Sequence, residues 1–280
     1  AKTRAWLASI GFFAVGLQAS GVGDSTPVQS FIPPILLVAP REHTPLDDRI
    51  RSVQQRVQRS VVPAAELERL GWLWIAKGRA SSDPGYYSLA GVTADALEKT
   101  YGATPEAWLL RGHVLQTRHR FAEAEALGRR LVSLRGSAAD YALLGDALYD
   151  EGQIAAAADA YQHMVDLKPG LDSYSRAANI RWIKGDLAGA IELQTRAVSA
   201  GGRDPGALAW SLVRLAQLVW QQGDALAAGT LVAQALERVP EYQPALLLHG
   251  RLLLASGHPA EALAPLARAA EILPLPEPRW

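Results

Sequence analysis

Tyr141 to Pro169 reads YALLGDALYDEGQIAAAADAYQHMVDLKP. Apolar residues recur at intervals of three and four on both sides of Glu151-Gly152, the pattern of two amphipathic helices joined by a tight turn. Gly145 and Ala157 are small where the two helices have to cross closely, and Tyr141, Leu148 and Tyr161 are large around that crossing. One such hairpin cannot bury its apolar face alone, so further copies are expected on either side.

The copies are there. A first unit begins near Ala64 with Leu67, Leu70, Gly71 and Trp74; an expanded turn over 80–85 then leads to a second helix over 86–99. The next carries Trp108, Gly112, Leu115, Ala124 and Leu131, and the stretch quoted above follows it. Tyr174, Ala178, Gly185, Ala190 and Ala197 mark a fourth unit, and Ala216, Gly223, Ala228, Ala235 and Pro240 a fifth. Leu246, Gly250, Leu253, Gly257, Ala262, Leu266, Ala269 and Pro274 mark a sixth. The turn glycines Gly152 and Gly185 are 33 residues apart and Gly223 and Gly257 are 34 apart, but Gly185 and Gly223 are 38 apart. That excess predicts an insertion over 199–205. Ala and Leu are abundant and β-branched runs are scarce, which places the chain in the all-α class.

The alternation of large and small residues resembles the tetratricopeptide repeat, a helix–turn–helix unit of about 34 residues. The resemblance covers 64–274, and Asp83-Pro84-Gly85-Tyr86-Tyr87 is similar to a recurring segment of one exported bacterial group of such proteins. It implies a right-handed superhelical solenoid of about six units whose first helices line a concave groove for a peptide or partner helix. On that mapping the groove residues are Trp72, His113, Gln116, Asp146, Tyr149, Asn179, Trp182, Arg214, Gln217, Trp220 and Arg251. Some relatives clamp a C-terminal carboxylate with Lys and Asn. Asn179 and Arg214 match two of those positions, but Ser175 stands where the Lys belongs, and Pro244 and Leu248 replace later basic positions.

Before the array, Lys2 and Arg4 precede an uncharged run of 13 residues, Ala5 to Leu17, and small residues follow it. This pattern predicts a signal peptide over 1–23 and a periplasmic or extracellular protein. An apolar helix packed on the array, or an uncleaved membrane anchor, is the alternative. A Pro/Gly-rich linker is expected over 24–43, an amphipathic helix capping the stack over 44–60, and a short tail over 275–280. Thr44-Pro45 with Asp47 reads as the start of that helix. Its arginines leave a membrane-surface helix as the second reading.

Function classes are bounded by what is missing. Lys plus Arg equals Asp plus Glu at 28 each, which lacks the basic footprint of a nucleic-acid binder. There is no Cys, so disulfides, thiolate catalysis and cysteine metal sites are excluded. Phosphate-loop, zinc-helix and nucleophile-elbow motifs do not occur. Asp159, His163 and Asp166 lie close on one helix, but a solvent-facing surface accounts for them, and His113 and His119 are badly spaced for shared ligation. The expectation is a non-enzymatic scaffold without cofactor or metal, binding a protein or peptide and touching a membrane only through its N-terminus. The alternative is a regulatory or substrate-presenting part of a larger enzyme or assembly. Leu263 and Leu266 in the last unit have no evident cover, which allows self-association there.

Overall fold

A computed structural model describes residues 32–40, 42–202 and 204–273. The expected signal segment, the first part of the linker and the C-terminal tail lie outside them. Among the described residues are thirteen α-helices, one 3-10 turn and no strand. The turn is Pro34–Leu37 and the first helix, α1, is Pro45–Arg59. Six hairpins follow: α2 (Ala64–Ser81) with α3 (Pro84–Tyr101), α4 (Pro105–Thr117) with α5 (Phe121–Leu134), and α6 (Ala138–Asp150) with α7 (Ile154–Leu167). Then come α8 (Leu171–Ile183) with α9 (Leu187–Ala200), α10 (Pro205–Gln221) with α11 (Ala225–Arg238), and α12 (Gln243–Ala255) with α13 (Pro259–Ile272).

Small residues set the closeness of these helices. A β-carbon on Gly145 would lie 2.5 Å from the Tyr161 ring, and one on Gly250 would lie 2.4 Å from Leu266, so each hairpin crosses through its glycine. Gly71 and Gly112 play the same part between successive hairpins, against Leu110 and Leu143. Leu131, Leu143 and Leu148 are almost fully buried in these contacts, each worth roughly 1.5–3 kcal/mol of transfer free energy. Gly152, Gly185, Gly223 and Gly257 all have positive φ, between 79° and 103°, where the turn needs a left-handed residue. His119 fills the same turn position between α4 and α5 with φ 56°.

First helices pack on first helices along the stack, α2 on α4, α4 on α6, and α8 on α10 on α12. Second helices therefore form the outer layer, and the hairpins wind as the right-handed superhelical solenoid that the resemblance implies.

Three local expectations change. The loop expected over 80–85 is only Ser82-Asp83, because the Asp83 carboxylate accepts the Gly85 amide at 2.8 Å and Pro84 starts α3. Asp204-Pro205-Gly206 repeats the device, so the excess over 199–205 becomes an extra N-terminal turn of α10, which runs for 17 residues where α8 has 13. The linker is also not free over 32–40. Leu36 is fully buried, and the Gln54 amide donates to the carbonyls of Leu36 and Val38 at 2.8 and 2.9 Å.

Helix α1 caps the stack by packing on α2. Thr44 and Asp47 form the expected capping box, and the buried Asp47 carboxylate sits 3.0 Å from the buried Lys77 ammonium on α2. Burial alone would weaken both charges, but the pairing prevails: Asp47 is held below its ordinary pKa and Lys77 above. At the other end Leu266 is half-buried against Gly250, whereas Leu263 is 70% exposed.

Candidate peptide-binding groove

The concave wall is built from side chains three and four residues apart on the first helices, which share one helical face. Its N-terminal half is occupied by its own partners. Trp72 meets His113 edge to face, ring centroids 5.0 Å apart. Gln116 donates to the Leu143 carbonyl at 3.2 Å, so it ties α4 to α6. Asp146 accepts from two of the three Arg176 side-chain nitrogens, at 2.7 and 2.8 Å, and from the Tyr161 hydroxyl at 2.8 Å. Burial pushes the Asp146 carboxyl up, but Arg176 and Tyr161 together hold it below the usual carboxylate range. Tyr149 is half-buried against the α6–α7 core. Desolvation lowers His113 to about 4, the nearby Asp146 charge opposing and Arg79 and Arg176 assisting, so the imidazole is neutral at neutral pH.

The C-terminal half is different. Trp182, Arg214, Gln217, Trp220 and Arg251 of the expected set line one trough of about 350 Å³ with Leu218, Gln221 and Leu248. Trp182 on α8 is 37% exposed, and its indole N–H donates to Gln221 at 2.8 Å across to α10. Arg214 donates to the Gln217 side-chain oxygen at 2.9 Å and more weakly to Asn179 at 3.4 Å. Arg251 on α12 is exposed. Among the described residues no carboxylate pairs with Arg214 or Arg251 within 4.0 Å.

Sequence reasoning thus missed Arg176, Leu218 and Gln221, and placed Leu248 only as a lost basic position of a carboxylate clamp. Arg176 lies three residues before Asn179, on the same face, which is the signal that points to it. Ser175, where a carboxylate clamp needs Lys, faces the interior: it is 5% exposed and accepts from the buried Gln194 amide at 3.3 Å. Gln194 also donates to the Ser211 hydroxyl at 2.7 Å. A clamp lysine has no room at that position. His163 stacks on Tyr141 at 4.8 Å with its Nδ1 2.8 Å from the Asp159 carbonyl, and among the described residues no group of three His, Asp or Glu is placed to hold a metal.

The tetratricopeptide-repeat family model matches residues 142–207 and 213–275, the part of the chain that forms this trough. The chain folds as a tetratricopeptide-repeat solenoid. A solved structure of the APC/C hetero-tetramer Cut9–Hcn1 superposes with TM-score 0.63 and 16% identity, over 82% of this chain and 44% of that one. This chain therefore spans less than half of that relative. TTC0263, a thermophilic repeat protein of Thermus thermophilus, gives TM-score 0.60 and 18% identity, over 68% of this chain and 99% of its own. Pseudomonas aeruginosa pilF gives 0.56 and 14%, over 77% and 95%. At these identities the likeness is one of fold. No curated protein matches the sequence.

Proposed function

We infer that the protein is a non-catalytic scaffold that holds a segment of a partner protein in the trough between α8, α10 and α12. One observation carries this reading: Gln116 and Asp146 of the N-terminal half of the concave wall are engaged by groups of the fold, Asp146 by a cation, whereas among the described residues no carboxylate pairs with Arg214 or Arg251 in the C-terminal half. Trp182 and Trp220 offer ring area at little conformational cost, while Asn179 and Gln217 offer amides to an extended backbone. Tryptophan and arginine are also the residue types in which interface energy concentrates.

A photo-cross-linking amino acid placed at Trp182 or Trp220 tests this against one placed at Gln162, an exposed residue on the outer helix α7. In the cells that make the protein, the groove positions should give a discrete polypeptide adduct and position 162 should not. Adducts from 162 alone, or equally from all three positions, would move the interaction off the groove.

A further inference from the structure

The trough holds a half-buried cation without the carboxylate partner that the other half-buried arginines have among the described residues. Four arginines among the described residues are half-buried: Arg51, Arg111, Arg176 and Arg214. The first three each hold a carboxylate, at 2.8 Å from Asp48, 2.7 Å from Glu98 and 2.7 Å from Asp146. Among the described residues Arg214 is bonded only to the neutral amide oxygens of Gln217 and Asn179. Burial lowers its pKa, the Tyr149 phenol opposes this, and among the described residues no carboxylate stabilises the cation. Arg251 lines the same trough from the next hairpin, also without a carboxylate among the described residues. A desolvated guanidinium whose fork of donors meets no anion is costly for the fold, and an incoming carboxylate satisfies it.

We propose that the segment received by the trough is acidic, with an Asp or Glu side chain lying between Arg214 and Arg251 and an adjacent apolar side chain against Trp220 and Leu248. This rests on the groove reading above and adds the chemistry of its occupant. Charge complementarity argues for the acidic side chain, and the apolar neighbour follows from what surrounds the cations: two indoles, Leu218 and Leu248. A buried charge pair ringed by such groups is shielded from salt and water more than a rim pair is.

The test is selection of a phage-displayed random 12-residue library on the immobilised full chain, displayed once internally and once with a free C-terminus. Enriched clones should carry Asp or Glu next to an aliphatic or aromatic residue in both formats. As synthetic peptides they should bind Arg214→Gln at least tenfold more weakly. They should also bind Arg251→Gln more weakly, a change at an exposed residue that leaves folding intact, with far-ultraviolet spectra confirming this. Enriched clones that are neutral or basic, or acidic clones indifferent to both changes, would overturn the proposal. Clones that bind only through a free C-terminus would overturn the choice of a side-chain carboxylate. Clones weakened by Trp182→Ala but not by either arginine change would remove the acidic occupant and leave the groove reading standing. Clones indifferent to all three changes, or no enrichment at all, would count against both.

Discussion

Replacing Arg214 by Met should make the free protein more stable, an unusual sign for a half-buried residue. The change keeps most of the apolar stem and removes a guanidinium that burial disfavours and no carboxylate supports. Against this stands the loss of one sound hydrogen bond, to Gln217 at 2.9 Å, and one weak one, to Asn179 at 3.4 Å, together about 1 kcal/mol. Relief of an unpaired, partly buried charge is worth roughly 1–2 kcal/mol, taken from the lower part of the range for buried ionic groups. The net is a gain of up to about 1 kcal/mol, or a rise of roughly 2–4 °C in melting midpoint for an array of this size. Arg176→Met is the control with the opposite sign. It strips a bidentate partner from Asp146 and leaves that carboxylate against Tyr161, a loss of about 2–3 kcal/mol after discounting for the partial exposure of both side chains. Circular-dichroism melts and urea titrations of the three proteins decide the matter. A loss from Arg214→Met as large as that from Arg176→Met would make Arg214 a structural residue and refute the reasoning.

Gly145→Leu drives a branched side chain into the Tyr161 ring, where even a β-carbon is 2.5 Å from a ring atom, and should cost roughly 1–3 kcal/mol or more. Hydrogen exchange should localise that damage to α6, α7 and their neighbours, since each hairpin touches only the next, and uniform loosening from α2 to α13 would contradict it. His119→Gly removes a side chain from a left-handed turn residue and should raise stability in urea by up to about 1 kcal/mol; a drop would mean that the ring contact with Phe121 outweighs the strain. Stability should also fall as pH drops from 6.5 towards 4, because His113 binds its proton at 6.5 when unfolded but only at about 4 when folded. The loss amounts to at most about 3 kcal/mol and should be absent from His113→Gln, so parallel pH profiles for the two proteins would exclude His113 as its source.

The six hairpins are legible in the sequence because close crossings admit only small residues, and Gly145, Ala157, Gly250 and Ala262 recur at fixed offsets from the turn glycines. Helix starts are less legible where Asp-Pro-Gly occurs. The same three residues suit a loop or an N-cap followed by N1, and the Asp83 and Asp204 side-chain bonds select the cap. Composition also hides the docking of 32–40, since what holds Leu36 is Gln54, 18 residues further along the chain. Within the groove, helical spacing locates the face but cannot say which polar groups are already engaged. Gln116 shares the repeat position of Trp182 and Trp220, three residues before the turn residue, yet its amide is bonded to the Leu143 carbonyl. Asp146 and Arg176 satisfy each other across 30 residues, and that pairing separates the closed half of the wall from the open half.

Once cross-linking or selection yields a peptide, calorimetric titration against Asn179→Ala/Trp182→Ala measures the groove claim directly. Truncating a central aromatic of such a site costs about 2 kcal/mol or more, near thirtyfold in affinity. The double variant should therefore lose micromolar binding while its helicity and melting profile persist, and Gln162→Ala should bind like the parent. Unchanged affinity in the folded double variant would place the interaction elsewhere on the protein.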